Sequence, residues 1–234
     1  MTGADPREAA SCAARLARES VVQVLMKGAL HTDELLSIVV RKEHGLRTGR
    51  RMSHVFLFDL PRYPKFLAVT DCVVNVAPSA SVKKEILANA LELLRRLGIV
   101  EPKVGIIAAT EEVTPAIQAS LDAQAIVEGA ASGLWPGAVV EGPFGFDNAI
   151  SSEAARQKNI RSRVAGDADL LLMPDLVAGN MLYKSFTYIG GGQCAGLVLG
   201  ASLPIVITSR ADSVVARVSS AALAVLSLGQ GAHR

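Results

Sequence analysis

The sequence has few aromatic residues and few cysteines, and each scarcity excludes a class of protein. Only 4% of the 234 residues are Phe, Trp or Tyr while 50% are hydrophobic, so the core must be aliphatic and tightly packed. The 3 cysteines, Cys12, Cys72 and Cys194, are widely spaced and include no CxxC pair. This argues against a disulfide framework and against a zinc site, and favours a reducing cytoplasm.

The chain also lacks a strong charge excess and a long apolar run. Its 24 Lys and Arg residues nearly balance 22 Asp and Glu residues, and a net charge of +2 is too small to predict a nucleic-acid surface. The segment Met1–Ala10 is charged and does not resemble a signal peptide. The most apolar stretch, Ala195–Thr208, contains Gly200 and Pro204 and is shorter than the roughly 20 residues of a membrane-spanning helix. Neither nucleic acid nor a membrane is therefore an expected partner.

The order of apolar and amphipathic segments predicts an α/β fold. Strand-length apolar runs alternate with helix-length stretches, the pattern of parallel βα units. The runs His54–Leu60 and Phe66–Thr70 are close enough to predict an antiparallel hairpin. Predicted helices cover Arg7–Ser20, Thr32–Val40, Val82–Leu97, Thr114–Gly129, Asn148–Lys158, Leu176–Phe186 and Ser213–Leu228. The other predicted strands are Val21–Met26, Val104–Ala108, Ala138–Glu141, Asp169–Met173, Leu197–Leu199 and Ile205–Thr208.

The sharpest local pattern is TSRADS, which begins at Thr208 and joins a predicted strand to the last helix. The carboxyl edge of a parallel sheet is a common ligand site, and a helix N-terminus offers free N–H groups to an anion. Arg210 can bind two phosphate oxygens, and Ser209 can donate to a third or to a developing oxyanion. The structural alternative is that Asp212 caps the helix and Ser209 forms a turn. We favour the cap for Asp212 alone and ligand contact for Ser209 with Arg210.

A second polar segment, PDLVAGNMLYK, also follows a predicted apolar strand. Asn180 and Lys184 are four residues apart and therefore share one face of the predicted helix. Lys184 could bind a phosphate as a mobile cation. Alternatively, Asp175 only caps the helix and Lys184 is a solvated side chain, and the two interpretations are evenly balanced for each residue alone.

A third strand end lies in the segment MKGALHTDE. Gly28, after Lys27, allows close approach of a backbone, which makes ligand contact plausible there. His31 is alternatively a surface residue, with Thr32 or Asp33 capping the next helix.

Two glycine-containing segments complete the candidates. Asp147 ends the segment GPFGFD after a predicted strand and is expected to cap the following helix. Gly190–Ala195 fits the dinucleotide pattern GxGxxA, but it follows a helix and enters a strand, whereas the fingerprint follows a strand and opens a helix. A helix-terminating glycine turn is predicted instead. The sequence contains no HExxH, GxSxG or Walker A pattern.

Taken in order, these segments resemble the phosphate acetyl/butyryltransferase family. The matches are MKGALHTDELL, LRTGRRMSHVFLFD, FLAVTD, EGPFGFDNAIS, AGDADLLLMPDLVAGNMLYKSFTYIGGG and PIVITSRADS. They extend over nearly the whole chain, and the joint occurrence of PDLVAGNMLYK and TSRADS is highly specific. The resemblance is closer to the butyryl branch, and to the acyltransferase half of enoyl-CoA hydratase/phosphate acetyltransferase fusions, than to typical phosphate acetyltransferases.

The resemblance implies a two-domain, isocitrate-dehydrogenase-like α/β fold with three layers, mostly parallel sheets and an interdomain cleft. Residues 1–45 with 200–234 would form domain I, and residues 46–199 would form domain II. A cytoplasmic homodimer is implied as well. Family members ordinarily carry several dozen residues before the matched segment, so domain I would lack its usual amino-terminal part.

The implied reaction interconverts a short-chain acyl-CoA and phosphate with an acyl phosphate and CoA. The resemblance implies direct transfer, with coenzyme A and phosphate as substrates, no bound cofactor and no metal. Both directions pass through a tetrahedral oxyanion, so cationic and hydroxyl groups contribute most where they contact the transition state. Ser209 and Arg210 would bind the phosphate and the oxyanion, with Asn180 and Lys184 in the same pocket.

The sequence departs from the family pattern at two places. Ala216 falls near the acidic residue that is the proposed base in typical phosphate acetyltransferases, which leaves Asp212 as the nearby carboxylate. Tyr188 falls where those enzymes place an arginine, so the phosphate contacts differ in detail. The predicted catalytic residues are thus Ser209, Arg210 and Asp212, and the predicted substrate-binding residues are Lys27, Gly28, His31, Asp147, Asn180, Lys184, Tyr188 and Thr208.

Two other classes of function remain open from the sequence. The chain could be a catalytically impaired protein that binds acyl-CoA or phosphate, or a structural partner of a homologue; CoA binding without turnover would favour that class. A dehydrogenase on a similar fold has weak support, because the glycine fingerprint is misplaced.

The pattern around Arg210 predicts that Arg210→Ala lowers turnover by about 10²-fold or more, the usual effect of removing a donor to a developing oxyanion. Steady-state kinetics with acetyl-CoA or butyryl-CoA and phosphate measure this effect, and circular dichroism checks that the variant is folded. Near-normal turnover of a folded variant would remove Arg210 from the site.

Overall fold

A computed structural model describes residues 5–41, 45–208 and 212–229, and these form an α/β structure. The helices are α1 Pro6–Arg18, α2 Thr32–Val39, α3 Ala80–Arg96, α4 Gln118–Ala131, α5 Phe146–Ile150, α6 Ser152–Gln157, α7 Leu176–Tyr188 and α8 Val214–Ser227. The strands are β1 Leu25–Met26, β2 Ser53–Asp59, β3 Leu67–Thr70, β4 Lys103–Ile107, β5 Val139–Phe144, β6 Leu170–Leu172, β7 Gln193–Leu199 and β8 Ile205–Val206. None of the helices in the described ranges is long and apolar enough to cross a membrane.

The chain divides into two compact units. Residues 1–52 together with 195–234 form unit 1, and residues 53–194 form unit 2. The chain therefore changes unit at 52/53 and at 194/195, seven and five residues away from the boundaries that the sequence predicts.

Unit 2 is built on five strands in the order β2-β3-β6-β4-β5. β2 and β3 form the predicted antiparallel hairpin, in which Val55 lies opposite Thr70. β3, β6, β4 and β5 then run parallel, with helices in the connections. The prediction of an α/β fold with mostly parallel strands is therefore confirmed, and the carboxyl ends of four parallel strands share one edge.

Unit 1 places two short strands side by side. β1 runs parallel to β8, with Leu25 opposite Ile205, and β7 pairs antiparallel with β8. The predicted strand Val21–Met26 is reduced to its last two residues, because Val21 is exposed and its N–H group bonds to the carbonyl of Leu16 at the end of α1.

Two predicted helices are altered by serine side chains. The predicted helix Asn148–Lys158 is interrupted at Ser151, whose hydroxyl accepts a hydrogen bond from the Ala154 N–H group and so caps a new helix, α6. The predicted start of α4 at Thr114 is wrong, because Ser120 bonds to both the N–H and the carbonyl group of Thr114 and holds residues 114–117 as a turn.

An ion-pair network ties together the amino ends of the central strands of unit 2. The Lys65 ammonium lies 2.6 Å from a carboxylate oxygen of Asp169 and 2.8 Å from one of Asp167. Asp169 also accepts a hydrogen bond from the Lys103 N–H group, and Asp167 pairs with the Lys103 ammonium. The hydroxyl of Tyr63 donates to the Ala168 carbonyl, and burial, together with the two carboxylates, raises the pKa of Tyr63. The two lysines and the two aspartates at this end of the sheet are therefore paired with one another.

Helices α3 and α4 share a buried ion pair within the apolar packing of unit 2. The Lys83 ammonium lies 2.6 Å from a carboxylate oxygen of Asp122, and both side chains are almost fully buried. The Gln118 amide donates to the other oxygen of Asp122. Removal of either partner would leave a buried charge, so the pair links α3 to α4.

His54 in β2 is an uncompensated polar group in the core of unit 2. Its side chain is fully buried beside the ring of Phe56, and neither ring nitrogen has a partner among the described residues. Burial lowers the pKa of His54 from 6.5 to about 3. The folded chain therefore keeps a neutral imidazole at a pH where the unfolded chain binds a proton.

Acidification is expected to destabilise the protein through His54. As pH falls below 6.5 the unfolded state gains a proton that the folded state takes up only near pH 3, so stability decreases with falling pH across this window. From pH 7.5 to pH 5.0 the loss from this residue is about 2 kcal/mol. Urea denaturation at both values measures it, and His54→Leu is expected to lose this part of the pH dependence.

The exposed His31 provides a matched control, and His31→Asn is expected to retain the wild-type difference between the two pH values. An equal decrease in wild type and in His54→Leu would show that other groups control the acid sensitivity.

Candidate active site

In unit 1, the ends of β1 and β8 bring Lys27 and Thr208 to the same edge of the sheet. The Lys27 N–H group donates to the Val206 carbonyl at 2.9 Å, and the side chains of Lys27 and Thr208 are both buried. The Lys27 ammonium donates to the carbonyl groups of Leu30, at 3.0 Å, and Gly28, at 3.4 Å. Lys27 therefore holds the turn that follows β1.

Gly28 lies beside open space. A Cβ atom at this position would have no neighbour within 4 Å. The glycine lines a cavity of about 360 Å³ in unit 1. The cavity is lined mainly by apolar residues of α1, β1 and the turn, together with Leu35 of α2 and Lys27. Its volume is in the lower part of the range of small-molecule pockets.

His31 is the residue before the first turn of α2. It is exposed, and its N–H group donates to a carboxylate oxygen of Glu34 at 3.1 Å. The N-cap is thus His31, and the expectation that Thr32 or Asp33 caps this helix is wrong. This backbone contact gives His31 a structural role at the end of the turn.

The structure describes only part of the segment TSRADS. Ser209 and Arg210, the predicted phosphate ligands, lie outside the described residues. Asp212 is half-buried and does not cap α8, because the Ser213 hydroxyl accepts the hydrogen bond from the Ala216 N–H group at 3.1 Å. The predicted cap is therefore displaced by one residue.

In unit 2, α7 lies close to the loop that follows β3. The Asp175 carboxylate caps α7 by accepting a hydrogen bond from the Ala178 N–H group, as the structural alternative for this residue predicts. A Cβ atom on Gly179 would lie 2.5 Å from the Asp71 carbonyl oxygen, so only glycine allows this approach. The Asn180 amide donates to the Cys72 carbonyl at 3.3 Å, which holds its side chain beside the same loop.

The loop after β3 is stabilised by its own carboxylate. Asp71 is buried and accepts hydrogen bonds from the N–H groups of Val73, Val74 and Asn75 and from the Asn75 amide. Burial, together with the Asp71 carboxylate, raises the pKa of Cys72 well above its usual value. Cys72 is therefore a buried thiol rather than a nucleophile.

Aromatic contacts determine which side of α7 faces the sheet. Tyr183 stacks on Phe56 with ring centroids 4.5 Å apart, and Phe186 meets Phe58 edge to face at 5.1 Å. The opposite side of α7 carries Lys184 and Tyr188, and both side chains are exposed. Lys184 forms no hydrogen bond or ion pair with any residue in the described ranges. Its ammonium is thus available to an anion.

A polar cluster lies at the carboxyl ends of β4 and β5. The Lys158 ammonium contacts a Glu111 oxygen at 2.9 Å and an Asp147 oxygen at 3.6 Å, and the Asn148 amide donates to the same Glu111 oxygen. The hydrogen bond from Lys158 is the largest cause of a lowered pKa of Glu111.

Gly145 is the N-cap of α5, so the prediction that Asp147 caps this helix is wrong. The nearby rings of Phe146 and Phe186 place α5 beside α7.

The predicted substrate-binding residues therefore fall into two groups. Unit 1 contains Lys27, Gly28, His31 and Thr208, and unit 2 contains Asp147, Asn180, Lys184 and Tyr188. Sequence reasoning missed Glu111 and Lys158, although Glu111 follows a predicted strand as the other candidates do. It also missed the α1 residues that line the cavity, since alanines on a helix give no chemical signal.

The GxGxxA segment is a helix end, as the sequence predicts. The N–H group of Gly190 bonds to the Ser185 carbonyl and that of Gly192 to the Phe186 carbonyl, and β7 begins at Gln193. The turn therefore terminates α7 and does not open a dinucleotide-binding helix.

Comparison with known proteins identifies relatives over most of the chain. The model of the phosphate acetyl/butaryl transferase family matches residues 5–225. A phosphate acetyltransferase of Rhizobium meliloti is 49% identical over 93% of this chain and 69% of the relative. A probable phosphate butyryltransferase of Bacillus subtilis is 40% identical over 97% of this chain and 76% of the relative. The crystal structure of a branched-chain phosphotransacylase from Enterococcus faecalis V583 matches with a TM-score of 0.90 and 33% identity, over 100% of this chain and 82% of that chain.

Two features of these matches bear on the function. The chain spans 62% to 69% of the length of the first four phosphate acetyltransferases that it matches. Relatives named for acetyl transfer are 34% to 49% identical and those named for butyryl transfer 39% to 40%, so identity does not decide between the two branches. The resemblance seen in the sequence motifs is confirmed: this chain belongs to the phosphate acetyl/butyryltransferase family of acyltransferases.

Proposed function

We propose that this protein interconverts a short-chain acyl-CoA and inorganic phosphate with the acyl phosphate and free CoA. The observation that carries the proposal is the family match over residues 5–225, which includes every predicted site residue. The exposed Lys184 ammonium, which has no carboxylate partner in the described ranges, supports a binding site for an anion. CoA and phosphate are the substrates, and the reaction requires no further cofactor.

In the direction of acyl-CoA synthesis, the CoA thiol loses its proton and its sulfur attacks the carbonyl carbon of the acyl phosphate. The tetrahedral oxyanion then collapses, the bond from carbon to the phosphate oxygen breaks, and phosphate leaves with that electron pair. In the other direction a phosphate oxygen attacks the thioester and the CoA thiolate leaves. The CoA thiol has a pKa similar to that of cysteine, about 8.5, so at neutral pH it must pass its proton to a base when it attacks. That base is Asp212 or the phosphate itself.

The roles of individual residues follow from charge and position. Arg210 and Ser209 bind the phosphate and the developing oxyanion, where their contribution to the transition state is greatest. Lys184 neutralises the phosphoryl group, and Asn180, whose amide donates to the Cys72 carbonyl, lies one turn earlier on α7. Lys27 and Thr208 shape the end of the sheet in unit 1. The enzyme acts in the cytoplasm as a homodimer.

Wild-type protein is expected to release thiol from acetyl-CoA or butyryl-CoA only when phosphate is present. A colorimetric thiol assay measures the release, with arsenate-free buffer lacking phosphate as the blank and circular dichroism as the folding control. Thiol release that does not depend on phosphate, or no thiol release from folded protein, would contradict the proposed function. CoA binding measured by calorimetry without thiol release would favour a catalytically impaired binding protein.

Lys184→Gln is expected to raise the KM for phosphate about tenfold, because a hydrogen bond to a charged group contributes about 1.5 kcal/mol or more. Lys84→Gln on α3 is the matched control, since it removes the same charge from a helix of the same unit. Steady-state kinetics at saturating acyl-CoA measure both variants. Equal phosphate KM values in the two variants would exclude Lys184 from the phosphate site.

A further inference from the structure

The outer face of α7 carries several exposed apolar side chains. Val177, Met181 and Tyr188 are each 66% exposed, and Lys184 lies among them. At 3.6 residues per turn, these four positions fall within an arc of about 60° on the helix. We call this row of four residues the α7 stripe. Exposed apolar side chains that lie together on one surface can mark a binding site.

The orientation of the stripe is fixed by contacts on the other side of α7. Gly179 lies against the backbone of the loop after β3, Tyr183 stacks on Phe56, and Phe186 meets Phe58. These contacts all lie on the side of the helix opposite the stripe. Val177 and Met181 therefore cannot turn towards the core of unit 2 without breaking the packing of α7.

The charge of the stripe indicates what kind of molecule covers it. Helix α7 contains no Asp or Glu residue, so Lys184 has no neutralising group on its own helix. If a second copy of the chain packed on this face about a twofold axis, the two Lys184 ammonium groups would approach each other without a counter-charge from α7. A ligand with an anionic head and a short apolar tail complements both the cation and the apolar positions beside it.

Acyl phosphate is such a ligand, and the spacing of the stripe fits it. Met181 precedes Lys184 by about 4.5 Å along the helix axis, and Val177 precedes it by about 10.5 Å, at 1.5 Å per residue. With the phosphoryl group at Lys184 and the acyl chain directed towards the amino end of α7, a two-carbon chain ends about level with Met181. A four-carbon chain extends past Met181 towards Val177.

We propose that Val177 and Met181 contact the acyl chain and set the preference of this protein for acyl length, while Lys184 binds the phosphoryl group. This inference rests on the proposed function and adds the residues that distinguish a four-carbon from a two-carbon substrate. A methylene removed fully from water contributes about a factor of four in affinity, and a partly open surface contributes less.

Binding of two unreactive thioethers, S-ethyl-CoA and S-butyl-CoA, tests the inference without requiring turnover. Wild type is expected to bind S-butyl-CoA more tightly by calorimetry. Met181→Gln, which keeps side-chain length and helix propensity, is expected to reduce this preference about fivefold, and Val177→Thr about twofold. Val100→Thr, at an 85% exposed position elsewhere in unit 2, is the matched control and should leave the preference unchanged.

The outcomes separate this inference from the proposed function. A butyl preference that is equal in wild type and Met181→Gln, or no binding of either thioether, would overturn the inference. Turnover of acyl-CoA by the wild type would leave the proposed function standing in either case. A change from dimer to monomer in Met181→Gln, with no change in the preference, would instead identify the stripe as a subunit interface.

Discussion

The close approach of Gly179 to the loop after β3 determines the rotation of α7, and the candidate site in unit 2 depends on that rotation. A Cβ atom at position 179 would lie 2.5 Å from the Asp71 carbonyl oxygen and 3.0 Å from the Cys72 Cα atom. Any larger residue would move the helix away from the loop. With Gly179 facing inward, Asn180 reaches the Cys72 carbonyl and Lys184, one turn later, lies outside. Because residue 179 is a glycine without a Cβ atom, α7 packs in the orientation that positions the predicted ligands Asn180 and Lys184.

This packing requires a rigid loop, and the Asp71 carboxylate supplies the rigidity. Its two oxygens accept hydrogen bonds from three backbone N–H groups and one side-chain amide. A carboxylate that served a ligand would have to give up some of these bonds, and buried N–H groups without partners are costly. Asp71 therefore acts on the site indirectly, through the surface that it holds for Gly179 and Asn180.

The sequence predicts those features that depend on local patterns. Helix α7 is predicted as Leu176–Phe186 and observed as Leu176–Tyr188, because its apolar spacing and its Asp175 cap are local signals. Local signals fail where either of two neighbouring residues can cap the same helix. Asp212 and Ser213 are such a pair, and the backbone selects Ser213. The break at Ser151 is missed for a related reason, since a serine inside a helix can also begin one.

Contacts between distant segments are not predictable in this way. Glu111 and Lys158 meet only because β4 and β5 end side by side, and 47 residues separate them along the chain. The exposure of Val177 and Met181 likewise depends on which side of α7 faces Phe56 and Phe58. Periodicity shows that residues share a face, but the identity of the buried face comes from the packing.

Electrostatic pairing distinguishes Lys184 from the lysines near the ends of the unit 2 strands and explains why Lys184 suits an anionic ligand. At the amino edge, Lys65 and Lys103 are neutralised by Asp167 and Asp169, so a phosphate there would compete with two carboxylates. Lys158, at the carboxyl end of β5, is likewise paired, with Glu111 and Asp147. Lys184 differs because its helix supplies no carboxylate and because the contacts of α7 with the sheet keep its ammonium in solvent. A bound anion would therefore gain the attraction of Lys184 without first displacing a carboxylate of α7.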